Sequence, residues 1–174
     1  MLINGDCLEE MKTIKDNSVD IVIADLPYGR FKNLDWDKTI DLKLMWVQLW
    51  RIAKDEHTPI FLFGDMKFGV QLINSQPKYF KQEIVWINRS QNFDPIRLYP
   101  FTERVYWLAK NAKTKLNNII KHHDVFNWKE WPTKGTKGKF KRAFPEEMVS
   151  DFLSIFPNTK LVLDPFIGSG TTAL

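Results

Sequence analysis

The sequence predicts an α/β fold in which parallel strands are joined by crossover helices. Three apolar runs, 19–24, 59–63 and 160–163, are short and rich in β-branched, leucine or aromatic residues. Such runs read as strands buried on both faces, because these lose the polar alternation of half-exposed strands. Helical stripes lie between them, and alternation of strand and helix implies parallel pairing through crossovers. The first and last runs each end in a short motif that carries chemistry: Asp25-Leu26-Pro27-Tyr28-Gly29 and Asp164-Pro165-Phe166-Ile167-Gly168-Ser169-Gly170. Open α/β sheets collect ligands where their strands end.

With 174 residues, 44% hydrophobic and 14% aromatic, the chain has the size and apolarity of one domain, 1–174, with a substantial core. A disordered chain and a small stapled fold are both excluded. Cys7 is the single cysteine, so no internal disulfide or cysteine-rich zinc site is available, and a reducing compartment is favoured. No apolar run approaches ~18 residues and the N-terminus lacks a charged-then-apolar signal pattern, so the chain reads as soluble and cytoplasmic, with no membrane partner. No metal is expected, since His122 and His123 have no third ligand nearby and read as surface residues.

Charge is unevenly spread. The whole chain carries +4, whereas 110–142 holds ten Lys/Arg against Asp124 and Glu130, which leaves the remainder mildly acidic. A basic segment on an ordinary domain suits a polyanion, and Trp128 and Trp131 within it offer stacking faces. A solvated loop kept soluble by its lysines is the other reading.

Near the N-terminus, 2–3 followed by Gly5-Asp6 read as a short strand and tight turn, and Leu8, Met11 and Ile14 as a short amphipathic helix. Asp6 has two readings, a site residue at a strand's carboxyl end or the cap of the helix that follows. The polar stretch 30–38, with Trp36 embedded, reads as a loop over the site. Leu42, Met45, Trp46, Leu49, Trp50 and Ala53 form one helical stripe, which assigns both tryptophans to the core. Strand 59–63 closes on Gly64-Asp65. Phe68, Leu72 and Ile73 suggest a short helix, and 83–87 and 103–109 two further strands. The polar segment 88–100, with Arg89, Phe93 and Arg97, reads equally as substrate-facing or as a plain connection. Pro145 opens a helix whose stripe is Met148, Val149, Phe152, Leu153 and Phe156.

Asp25, Pro27 and Tyr28 combine a carboxylate, a stiff backbone and an aromatic face. They suit a planar ring bearing an amino group: Asp25 and a neighbouring backbone carbonyl accept its two N–H bonds while Tyr28 stacks, as for a flipped nucleobase. A strand simply leaving a sheet, with the Asp turning the chain, is the alternative. In the second motif a glycine-rich turn stands between a strand and an expected helix, where a ligand can approach the backbone closely. No Lys follows the second Gly and position 173 is Ala, so neither the P-loop nor the dinucleotide pattern is met. A neutral or cationic nucleoside cofactor fits better than a triphosphate, with Asp164 available to an ammonium group.

Together the two motifs resemble the signatures of the DNA amino-methyltransferases, which move a methyl group from S-adenosylmethionine to the exocyclic nitrogen of adenine or cytosine. Their order resembles the permuted, beta-type arrangement, with the catalytic motif first and target recognition between the two. Asn4-Gly5-Asp6-Cys7-Leu8 resembles that family's opening strand and turn, Glu103-Arg104-Val105-Tyr106-Trp107 a strand after the catalytic half, and Pro145-Glu146-Glu147 the helix before the cofactor strand. The resemblance implies a Rossmann-like class I methyltransferase sheet, circularly permuted. It implies Asp25 and the Leu26 carbonyl as acceptors for the target amino group, Pro27 as rigid spacer and Tyr28 as stacking face. Phe166, Gly168, Ser169, Gly170 and Thr171 would then surround S-adenosylmethionine, with Asp164 on its amino-acid part and Asp6 on its adenine. The implied substrate is adenine in double-stranded DNA, in a restriction-modification setting, with cytosine-N4 as the alternative. The insert 110–142 would read the target through Trp128, Lys134, Lys137, Lys139, Lys141 and Arg142.

This sequence departs from that pattern twice. Leu26 stands where many relatives have Pro, a change its backbone role tolerates. The sequence also ends at Leu174, where relatives continue through a full helix, another strand and an acidic residue on the cofactor ribose. A fragment, or a shortened form that binds cofactor weakly, is the expectation. A DNA-binding remnant without catalysis is a second one, and monomer and homodimer both stay open.

Overall fold

The computed structural model describes residues 1–29, 37–87, 102–111, 116, 124–128, 145–168 and 170–173. Six strands, β1 (Ile21–Asp25), β2 (Ile60–Gly64), β3 (Phe80–Ile87), β4 (Thr102–Leu108), β5 (Val125–Phe126) and β6 (Val162–Leu163), form one sheet in the order β5-β3-β4-β2-β1-β6. Four helices accompany it: α1 (Cys7–Met11), α2 (Leu42–Ile52), α3 (Met66–Ser75) and α4 (Glu146–Ile155). None of the helices among the described residues is long and apolar enough to cross a membrane.

Pairing is parallel around the centre, where β1 lies between β2 (Val22↔Ile60 through Asp25↔Phe63) and β6 (Ile21↔Val162, Val22↔Leu163). Strand β4, which no helix separates from β3 among the described residues, departs from this pattern and runs antiparallel to both β2 and β3. The expected strand at 2–3 is also absent. Leu2 and Ile3 are 74% and 47% exposed, and a strand requires a neighbour's backbone groups, which no described strand offers there.

Residues alternating along β1 divide the core into two layers. Val22 and Ala24 face α1, α2 and α3, packing with Met11, Met45, Leu49 and Leu72. Ile21 and Ile23 face α4 and pack with Met148, Val149 and Phe152. Within this second layer the rings of Phe61 and Phe152 stack at 4.3 Å and 3°. Helices α1, α2 and α3 each begin on an aspartate, Asp6, Asp41 and Asp65, whose carboxylate accepts first-turn N–H bonds. The Arg51 guanidinium near the end of α2 donates to the Met11 and Ile14 carbonyls at 2.6 and 2.8 Å. The same end of α2 hydrogen-bonds the chain entering β1, through Asn17 and Ser18. Helix α1 therefore packs against α2.

Candidate active site

Because β1, β2 and β6 are parallel, their carboxyl ends open on one edge of the sheet. That edge carries Asp25 as the last residue of β1, Asp65 directly after β2 and Asp164 directly after β6. Helix α2 joins β1 to β2 across one face, whereas α4 leads into β6 across the other. The crevice between β1 and β6 is thus a topological switch point, the usual ligand position in such sheets. The register is clamped from below: the Asp20 carboxylate accepts the Lys160 and Leu161 N–H groups at 3.0 and 2.9 Å and also takes a bond from Lys54. Burial raises the Asp20 pKa, but Lys54 and the two amides outweigh it and the carboxyl is held below its usual value.

At the end of β1, the Tyr28 hydroxyl donates to Asp25 Oδ1. The Leu26 side chain is buried among the core residues beneath, so an apolar residue serves there. The Tyr28 ring lies 5.2 Å from that of Phe68, tilted by 52°. Gly29 has φ +68°, and a Cβ there would meet Thr39 Cγ2 at 2.6 Å, so glycine is required for the reversal. One carboxylate oxygen of buried Asp37 accepts the N–H groups of Tyr28 and Gly29 at 3.0 and 3.1 Å.

At the end of β6, Asp164 Oδ1 accepts the Phe166 N–H at 2.9 Å and Oδ2 accepts the Thr172 hydroxyl. Gly168 and Gly170 take φ +51° and +90°, and the Gly170 N–H closes the turn onto the Ile167 carbonyl at 2.8 Å. A Cβ at Gly170 would have nothing within 4 Å, which marks open space beside the backbone. Phe166 packs against the core layer under α2, and Thr171 is buried. The helix expected after Gly170 is a single 3-10 turn, Thr171–Ala173. Burial pushes the Asp164 carboxyl above its usual value, more than the hydroxyl and amide donors offset. A half-buried carboxylate with neutral donors beside open space suits a cationic ligand group, and the turn fits a nucleoside cofactor bearing an ammonium.

A carboxyl whose folded pKa is raised contributes stability below its unfolded pKa and loses it as pH rises through the folded value. Asp164→Asn is therefore expected to raise the melting temperature of the ligand-free chain at neutral pH and, if Asp164 holds the cofactor that the motif's resemblance implies, to weaken binding of S-adenosylmethionine. Wild-type affinity falls as acid protonates Asp164. Thermal melts and calorimetric titrations of both proteins across pH check this, and an unchanged affinity in Asp164→Asn would contradict the assignment.

Other expected site residues lie elsewhere. Asp6 Oδ1 accepts from Leu8 and Glu9 at 2.9 and 3.2 Å, so its carboxylate caps α1, the local alternative. Trp128 is a correction: it is 4% exposed, stacks on Phe126 at 4.4 Å and donates from Nε1 to Asp151 at 2.6 Å. A ring enclosed in this way belongs to the core under α4 and offers no face to a base. Ser169, Lys134, Lys137, Lys139, Lys141 and Arg142 lie outside the described residues, as does most of 110–142. Asp37 and Asp20 were not anticipated. Each acts on backbone far away along the chain or across strands, and no local pattern marks such a partner.

Known proteins of one family and fold are similar to this chain. The DNA methylase family profile covers residues 19–174, which include both motif-bearing strands. The type II methyltransferase M.HinfI of Haemophilus influenzae is 26% identical over 215 aligned residues, covering 98% of this chain and 60% of its own length. M2.LlaDCHI of Lactococcus lactis subsp. cremoris is 26% identical and is covered over 79% of its length. Among solved structures, the cytosine-N4-specific PvuII DNA methyltransferase superposes with a TM-score of 0.74 at 18% identity, over 97% of this chain and 74% of that one. An M1.HpyAVI–SAM complex superposes with a TM-score of 0.67 at 23% identity, over 98% and 84%. The sheet, its two motif-bearing strand ends and the extent of the profile match agree: the chain belongs to the DNA methylase family, whose members methylate an exocyclic amino group, adenine N6 or cytosine N4.

Proposed function

We propose that the chain transfers a methyl group from S-adenosylmethionine to the exocyclic amino group of a flipped adenine in double-stranded DNA. The observation that carries this reading is the pair of carboxylates, Asp25 and Asp164, at the ends of adjacent parallel strands. One faces the place of an amine acceptor and the other that of a cationic cofactor. S-adenosylmethionine, when bound, supplies an electrophilic sulfonium methyl; the chain supplies position and acceptors.

An exocyclic amine is a poor nucleophile because its lone pair is delocalised into the ring. Asp25 and the Leu26 carbonyl accept its two N–H bonds and draw them from the ring plane, which restores the lone pair on the side facing β6. Preorganised acceptors of this kind, with reactants held in line, supply the rate without a covalent intermediate. The Asp25 carboxylate already holds the Tyr28 hydroxyl, and the two oxygens of a carboxylate accept more than one donor. Pro27 locks the intervening φ, and Tyr28 offers its ring to the base. Lys134, Lys137, Lys139, Lys141 and Arg142 are proposed as phosphate contacts, which set affinity and its salt dependence.

Adenine is proposed on the resemblance of the Asp-first tetrapeptide; the PvuII enzyme, specific for cytosine N4, keeps cytosine as the second reading. The test is incubation with unmethylated DNA and methyl-labelled S-adenosylmethionine, followed by mass spectrometry of the released nucleosides. N6-methyl-2′-deoxyadenosine is expected. N4-methyl-2′-deoxycytidine would replace the base, and no product would favour a DNA-binding role.

A further inference from the structure

We propose that Asp37 is the positioning residue of the catalytic turn, fixing the backbone of 26–29 so that the Leu26 carbonyl and the Tyr28 ring meet the target base correctly. This rests on the methyltransferase reading of Asp25–Tyr28. A carboxylate at 5% exposure is expensive unless hydrogen-bonded, and Asp37 accepts the two adjacent amides that follow Pro27, those of Tyr28 and Gly29. Both amides lie beyond the ladder of β1, which ends at Asp25. Proline has no N–H, and these are the two amides that follow it, held by one oxygen.

The geometric consequence reaches the Leu26 carbonyl. With the Tyr28 and Gly29 amides fixed, the Leu26–Pro27 peptide is separated from a fixed plane by Pro27 alone, whose φ is locked by its ring. Little freedom remains for the carbonyl that accepts the second amine hydrogen. Thr39 reinforces the arrangement, its Cγ2 lying 2.6 Å from the position a Gly29 Cβ would take. Asp37 touches no substrate in this account and acts only through the turn.

The experiment compares wild type, Asp37→Asn, Asp37→Ala and Gly29→Ala. Hydrogen exchange at the Tyr28 and Gly29 amides is read beside kcat and the KM for S-adenosylmethionine. In Asp37→Ala these two amides exchange at least about tenfold faster while those of β1 and β2 are unchanged, and kcat falls about 10- to 100-fold with KM nearly constant, since small misplacements of a reacting group are costly. Asp37→Asn, which keeps the acceptor oxygen, restores both readouts. If Asp37→Ala does not fold, Gly29→Ala must show the same paired loss, because its Cβ displaces Thr39 and strains the turn. Unchanged exchange in Asp37→Ala, or a kcat loss that Asp37→Asn fails to restore, would overturn the proposal. A wild-type chain without methyl transfer defeats the functional reading instead, and amide protection alone then decides the role of Asp37.

Discussion

Asp25→Ala lowers kcat by about 100- to 1,000-fold, the usual loss when one preorganised electrostatic partner is removed. Asp25 ends β1 at the crevice beside β6, with its carboxylate already oriented by the Tyr28 hydroxyl. Removing it leaves the amine with the Leu26 carbonyl only, so its lone pair stays in the ring. DNA affinity changes by less than about twofold, because affinity resides mainly in phosphate contacts. Single-turnover methyl transfer and a parallel DNA-binding titration separate the two effects. A variant that keeps wild-type kcat would remove Asp25 from the chemistry, and one that loses DNA binding to the same extent as kcat would make it structural.

Phe61→Ala destabilises the fold by about 3–5 kcal/mol, the range for truncating a buried aromatic ring. The ring is 1% exposed, stacked on Phe152 of α4 and tilted against Trp107 at 5.5 Å. Domains of this size hold only about 5–15 kcal/mol in total, so the change uses a large share of the stability. The consequence is also local. Phe61 pairs with Ile23 of β1 and docks the helix that delivers β6, so the turn holding Asp164 loosens before the rest. Urea denaturation of both proteins measures the loss, and a midpoint shift worth less than about 1 kcal/mol would show that the site collapses around the missing ring.

Patterns of burial were legible in the sequence where they were strong. The β1 and β2 runs and the stripes of α2 and α4 stand close to where hydrophobic periodicity puts them, because each buries a full face. The direction of β4 was not legible. Val105, Tyr106, Trp107 and Leu108 of β4 are buried on both faces, and that composition is the same whichever way the strand runs. β5 escaped notice because it is two residues long and exists through its pairing with Val85 and Trp86. Trp128 misled for a related reason: a basic neighbourhood suggested a surface, whereas its ring closes the core beneath Phe152.

The two motifs were legible because their chemistry is local, a carboxylate and an aromatic ring within four residues, or glycines that need left-handed φ. Asp37 was not, since eight to nine residues separate it from the amides it holds. Its aspartate sits in a polar stretch that periodicity cannot interpret. Residues that position a turn from outside it are found only once the backbone is in view.

Ultraviolet cross-linking of methyl-labelled S-adenosylmethionine to the chain, followed by peptide mapping, tests the proposal that the ends of β1 and β6 form one site where cofactor and target base meet. Label is expected on the peptides containing 25–29 or 164–171, displaced by excess unlabelled cofactor and reduced in Asp164→Asn. Label confined to the opposite end of the sheet, in the cavity lined by Lys54, His57, Pro157 and Asn158, would contradict it.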